Sequence, residues 1–249
     1  MQKIDVHGHV GEWFFAARNR AVFQDGAQIE SVLEQFGIAL FLASSSKAIV
    51  YDLQEGNADL AALLGATQRL RGYVVVNPHY PEASLADLDQ YLPKEKFVGV
   101  KYHPSYARVP VSDKRMEPLL TRIQAAGVPL KVHTFGDGES SPLHLLSVHQ
   151  RFPQIPLIAA HMGGPRLDLA LELAQQTEAN VFLEICTSLA SAGRVEQAVQ
   201  AAGVERVLFG TDYTLFSPAH SIGAVEAADL SLAERQRIFC DNAAELFGF

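Results

Sequence analysis

Eight short apolar runs punctuate the sequence, and between them lie stretches whose apolar residues recur every three to four positions. The runs fall at 4–9, 38–43, 72–76, 97–102, 130–134, 157–161, 181–185 and 207–211. Helical periodicity marks 29–36, 57–64, 84–92, 114–126, 142–151, 166–176 and 192–202. Successive runs begin about 25 to 35 residues apart, the length of one strand–helix unit. The runs themselves are nearly unbroken hydrophobics, Ile-Ala-Leu-Phe-Leu-Ala and Tyr-Val-Val-Val among them. That is the signature of parallel strands covered on both faces. Eight such units with no chain left over for a second domain predict a single-domain α/β fold over 1–249, the (β/α)8 TIM barrel. An open doubly wound sheet is the alternative. Its Gly-rich phosphate turn after the first strand is missing, since Gly8 and Gly11 do not make the G-x-G-x-x-G pattern.

Composition narrows the picture. With 48% hydrophobic and 19% charged residues in 249, the chain has enough apolar material for a substantial core. A formal net charge of −8 without blocks of like charge argues against nucleic acid or an anionic membrane as partner. A small-molecule substrate is the expected partner, with a homodimer as the common oligomeric case. No apolar run reaches the roughly 18 residues of a membrane span, and none resembles a signal region at the first residues. Two cysteines, Cys186 and Cys240, read as free thiols in a reducing compartment. A cytoplasmic location follows as the expectation.

In a barrel of this kind the chemistry gathers at the carboxyl ends of the strands. The first strand carries Asp5-Val6-His7-Gly8-His9. His7 and His9 project from one face because side chains alternate along a strand, and imidazole is the commonest protein ligand for zinc and its neighbours. The aromatic loop Val10-Gly11-Glu12-Trp13-Phe14-Phe15 follows, as a pocket wall or as a plug on the mouth. The fourth strand places Lys101 and His103 on one face. A lysine inside a barrel requires a carboxylate, a metal site or a substrate anion. His133 and His161 each end an otherwise apolar strand, the fifth and sixth. Glu184 lies within the seventh, as a substrate-side carboxylate or a partner for a lysine. Asp212 ends the eighth, which lies beside the first when the barrel closes, so Asp212 is expected to face His7 and His9. His79, at the end of the third strand, reads as a solvated loop residue, and His144, His149 and His220, which lack strand-end placement, read as surface residues. The segment 136–142 reads as a lid or a surface turn, and 240–247 as an amphipathic last helix capped by an Asn or Asp.

These motifs together resemble the amidohydrolase superfamily: H-x-H on the first strand, histidines ending the fifth and sixth, and Gly-Thr-Asp-Tyr at the eighth. Gly-Val-Lys-Tyr-His-Pro and the terminal Asn-Ala-Ala-Glu-Leu-Phe resemble its amidohydrolase-related branch, which contains metal-dependent hydrolases and nonoxidative decarboxylases. The resemblance implies a divalent metal, commonly zinc, at the barrel mouth. His7, His9, His133 and Asp212 would then be ligands of one ion, with His161 beside the metal-bound water. His161 and Asp212 would be the catalytic proton carriers. Two ions are the alternative if Lys101 is carboxylated and bridges them. Lys101, His103 and Arg166 would bind substrate, the lysine and arginine orienting a carboxylate. Hydrolysis of an amide, ester or lactone by metal-activated water is the leading expectation. Nonoxidative decarboxylation is the alternative, and a non-catalytic ligand-binding barrel the third.

Overall fold

The computed structural model describes residues 1–11, 25–189 and 191–249. Eight parallel strands run in the order β1 to β8 around one sheet. They are β1 (Lys3–Val10), β2 (Ile38–Ser45), β3 (Leu70–Val75), β4 (Phe97–Tyr102), β5 (Leu130–His133), β6 (Leu157–Ala160), β7 (Val181–Glu184) and β8 (Val207–Leu208). Between and after them come α1 (Gly26–Gln35), α2 (Leu53–Ala66), α3 (Pro81–Tyr91), α4 (Glu117–Ala126), α5 (His144–Arg151), α6 (Leu167–Gln175), α7 (Arg194–Ala202), α8 (Pro218–Ala227) and α9 (Asn242–Phe247). The aromatic loop beyond Gly11 lies outside the described residues. Among the described residues no helix is long and apolar enough to cross a membrane.

Local chemistry sets the helix ends. Asp25 and Gln28 form a reciprocal capping box at α1, Asp52 caps α2, and Gly127 takes the left-handed conformation that ends α4. The last helix departs from expectation. The chain is already wound through a π-turn over Arg237–Asp241, so neither Asp241 nor Asn242 caps it. Asn242 instead donates to the carbonyls of Val204 and Val207, tying the end of the chain to β8.

β8 is only two residues long, yet the ring closes beyond it. Val6 N donates to Phe209 O (3.0 Å), Asp212 N to His7 O (2.8 Å) and His9 N to Tyr213 O (2.6 Å). Asp5 reinforces the seam by accepting from Thr211 N and Thr211 Oγ1. Gly8 is required there, since a Cβ would lie 1.9 Å from the Phe41 ring and 2.9 Å from Tyr213 O. The larger apolar cluster lies between sheet and helices, around residues such as Phe41, Leu120, Leu157 and Phe209. A smaller one gathers Leu42, Tyr73, Ile158 and Leu208 against α9. This packing fixes the strand ends that bear the histidines.

Candidate metal centre

The strand ends bring His7, His9 and Asp212 together. Asp212 Oδ1 is 3.1 Å from His9 Nε2 and 3.6 Å from His7 Nε2. One ligand atom from each of the three lies within 4.8 Å of the others, and all three residues are buried. Ser44 Oγ faces His9 Nδ1 at 3.3 Å. Burial lowers His7 far below the ordinary imidazole value and His9 to about 4, so both rings are neutral at pH 7 and offer lone pairs. Burial pushes Asp212 up, but the contact with His9 and the fields of His161, His9 and Lys101 outweigh it. Its carboxyl is held well below the usual carboxylate range. Asp212 Oδ1 is nonetheless buried without a well-formed hydrogen bond among the described residues. Two neutral imidazoles and an under-satisfied carboxylate converging on one point are the donor chemistry of a divalent cation.

Behind His7 lies a second group. His7 Nδ1 donates to Glu184 Oε2 (2.7 Å), which leaves Nε2 as the acceptor facing Asp212. Glu184 also accepts from Cys186 N (2.6 Å), Cys186 Sγ (3.0 Å) and His161 N (3.2 Å). Burial pushes Glu184 up to about 7, opposed by these hydrogen bonds. Surrounded by donors, its oxygens act as acceptors and fix the His7 tautomer, as carboxylates behind metal-ligating histidines do. Gly210 makes room: a Cβ there would lie 2.2 Å from Glu184 Oε1. The cysteines are unpaired, and Cys186 sits wholly inside this group.

His161 begins a turn with positive φ at His161 (68°), Met162 (46°), Gly163 and Gly164. Two non-glycine residues in succession in that region are strained by about 1–2 kcal/mol each. The turn is pinned from three sides. Gly163 N donates to Thr134 Oγ1 (3.0 Å), Gly136 N to Gly163 O (2.9 Å) and Arg194 Nη2 to Gly164 O (2.9 Å). So held, His161 Nδ1 donates to Cys186 O (3.2 Å) and its Nε2 accepts from His133 Nδ1 (3.0 Å). That tautomer chain leaves His133 Nε2 with a lone pair. His133 stacks on His103 with centroids 3.9 Å apart. It is not in the group of three, being linked to His7 through His161.

Lys101 is wholly buried and donates to His7 Nε2 (3.1 Å). Burial lowers it to about 8, against the opposing pull of Asp212, Cys186 and Glu184. Arg166 is elsewhere. Its partly exposed guanidinium is held by Asp137 and Asp168, so the structure does not bring it to the cluster. The reason is the His161–Gly164 turn, which reverses the chain before Arg166. The Asp137 contact also ties down segment 136–142. Lys131 escaped the sequence reading, although it lies two positions before His133 on the same face. It donates to Val6 O (2.9 Å) and sits over the Tyr73 ring. The period-two rule that paired Lys101 with His103 would have found it.

Nitrogen and oxygen donors gathered where β1 meets the segment after β8 form a candidate site for a divalent cation in a barrel of eight parallel strands. The family model described as amidohydrolase matches residues 4–249, and the chain belongs to that family. Curated proteins give no match. Among solved structures the chain is similar to 2,6-dihydroxybenzoate decarboxylase from Rhizobium, with 15% identity, TM-score 0.79 and coverage of 100% of this chain and 99% of that one. Dihydroxybenzoic acid decarboxylase from a Polaromonas species, solved with manganese and 2-nitroresorcinol, gives 17% identity, TM-score 0.80 and coverage of 99% and 97%. The corresponding values for 5-carboxyvanillate decarboxylase from Sphingomonas paucimobilis are 14%, 0.77, 100% and 99%.

Proposed function

We propose that this enzyme is a metal-dependent nonoxidative decarboxylase of a small hydroxy-substituted aromatic acid. The observation that carries this reading is the buried His7–His9–Asp212 group, set in a barrel whose full-length structural relatives include three decarboxylases. His7, His9 and Asp212 would hold the ion, and His133 would reach it through its Nε2 lone pair. The donor set suits zinc or manganese, the latter being present in the Polaromonas enzyme. When bound, the metal supplies a Lewis acid for the substrate's carboxylate and adjacent oxygen.

The remaining work falls to the chain. Lys101 sets a positive charge beside His7 and orients the substrate anion, with His103 along its flank. Asp212, ionised at neutral pH, takes the proton of the substrate hydroxyl and delivers it to the ring carbon. As that carbon gains its proton, the carbon–carboxylate bond breaks. CO2 leaves without the bonding pair, which ends in the new carbon–hydrogen bond. His161 holds His133 in one tautomer, in which His133 Nε2 keeps its lone pair. Hydrolysis, the leading expectation from the sequence, has no comparable support.

The test is incubation of the metal-loaded protein with 2,6-dihydroxybenzoate, 5-carboxyvanillate and a panel of related acids, with CO2 measured by a coupled assay. Release from one acid, lost on chelation, is expected. No CO2 from any of them, with turnover of an ester or lactone panel, would return the enzyme to hydrolysis.

A further inference from the structure

A cavity of about 340 Å³ lies between the segment that follows β7 and the helices α7 and α8, and His7, His9 and Asp212 are not among its lining residues. Its walls are mixed but mainly apolar, with Met162, Ile185, Val195, Ala224 and Ala227 among the apolar residues. Beside them stand the polar Thr187, Ser191, Arg194, Glu196, His220 and Ser221. Ile185 reaches it because Glu184 and Cys186 on either side point into the barrel, which turns the residue between them outward. Two of these polar residues have a buried atom without a partner. Ser221 is 2% exposed, and its Oγ has no partner among the described residues. Arg194 gives Nη2 to Gly164 O, but its Nε is buried and equally without a partner. No carboxylate among the described residues pairs with this guanidinium, and burial alone acts on it to lower its basicity. Thr187, Glu196 and His220 are engaged, Thr187 Oγ1 accepting from Leu189 N. Glu196 Oε1 accepts from Asp229 N (3.0 Å), and His220 Nε2 donates to Thr187 O (3.0 Å).

A half-buried cation without a counterion, a buried hydroxyl with a spare donor and an apolar chamber between them are jointly unsatisfied. One kind of molecule satisfies all three. We propose that this cavity is a second ligand site, which binds a small monocarboxylate with a compact apolar tail. The carboxylate accepts from Arg194 Nε and Ser221 Oγ, and the tail lies against Ile185, Val195 and Ala224. Inorganic anions lack the tail and neutral molecules lack the charge. The site also abuts the catalytic machinery, because Met162 follows His161 directly and Arg194 anchors the same strained turn. This inference does not depend on the reaction proposed above.

Calorimetric titration of the metal-loaded protein with hexanoate, with hexanol as the neutral control, tests it. Saturable binding of hexanoate near one equivalent, with a Kd of about 1 mM or tighter, is expected, and hexanol should bind far more weakly. Arg194→Gln should weaken binding about tenfold or more through loss of the charge-assisted contact. Because Arg194 also holds Gly164, Ala224→Phe serves as an independent variant that fills the chamber and should give a comparable loss. His9→Ala should leave hexanoate binding intact, which separates this site from the mouth. Absence of saturable binding, equal binding of hexanol, or binding abolished by His9→Ala but untouched by Ala224→Phe would each overturn the proposal.

Discussion

Asp212 Oδ1 lies 3.1 Å from His9 Nε2, joining the last strand end to the first. The contact exists because the barrel closes through Asp212 N to His7 O, not through a long β8. Backbone closure thus delivers a carboxylate to two imidazoles that the first strand has already aligned. If these atoms share one ion, removing either side empties the site. His9→Ala and Asp212→Asn should each retain less than about a tenth of an equivalent of divalent metal, against close to one for the wild type. Elemental analysis of the purified proteins checks this, and full metal content in either variant would exclude the assignment.

Glu184 holds His7 in the tautomer that frees Nε2. An amide in its place meets four donors with an NH2 group of its own. Glu184→Gln should therefore weaken metal binding about 10- to 100-fold, with a stability loss of roughly 1–3 kcal/mol. Gly210→Ala should mimic the metal defect without removing a ligand, since its Cβ would lie 2.2 Å from Glu184 Oε1 and 2.8 Å from His7 Cβ. Competition with a chromogenic chelator measures the first effect and thermal unfolding the second. Unchanged metal affinity in both variants would show that His7 needs no partner.

Lys101 and Arg166 entered as equivalent substrate anchors, and the structure separates them. Lys101 is buried at His7, whereas Arg166 is partly exposed and held between Asp137 and Asp168. Lys101→Met should reduce kcat/KM by about a hundredfold or more, as expected for loss of a buried charge facing a substrate anion. Arg166→Ala should leave kcat/KM within about twofold. Steady-state kinetics on the acid that releases CO2 decides between the two positions, and a large Arg166 effect would place the substrate nearer the surface.

The convergence of His7, His9 and Asp212 could be read from the sequence because chemistry and periodicity coincide there. His7 and His9 share one face of β1, Asp212 follows the last apolar run, and the first and last strands meet in a barrel whatever the loops do. The position of Arg166 was not legible, because four successive positive-φ residues turn the chain after β6 and a side chain's distance from a strand end no longer tells its direction. Cys186 read as an ordinary free thiol, since nothing local shows that Sγ lies 3.3 Å from His7 Nδ1 and from His161 Nδ1. Glu184 stood between two roles for the same reason. The last helix failed differently: a polar Asp-Asn pair looks like a cap, but the preceding π-turn had already supplied the helix start.

Asp5 gives the seam a pH signature. It accepts from His7 N (3.0 Å) and from Thr211, and burial raises it to about 7, against the pull of those hydrogen bonds and of Lys131. In the unfolded chain the same carboxyl titrates near about 4. The folded state therefore binds the proton more tightly, and its stabilising contribution is complete below about pH 4. It is lost as the pH rises through about 7, and no further change follows above that. Asp5→Asn has no proton to lose at this position. The difference in Tm between wild type and Asp5→Asn should accordingly shift against the wild type from about pH 5 to about pH 8. Parallel thermal melts across that range measure it directly, and Glu184, present in both proteins, cancels to first approximation. A difference that stays level would mean that Asp5 enters the folded barrel already ionised, with Thr211 and Lys131 offsetting its burial in full.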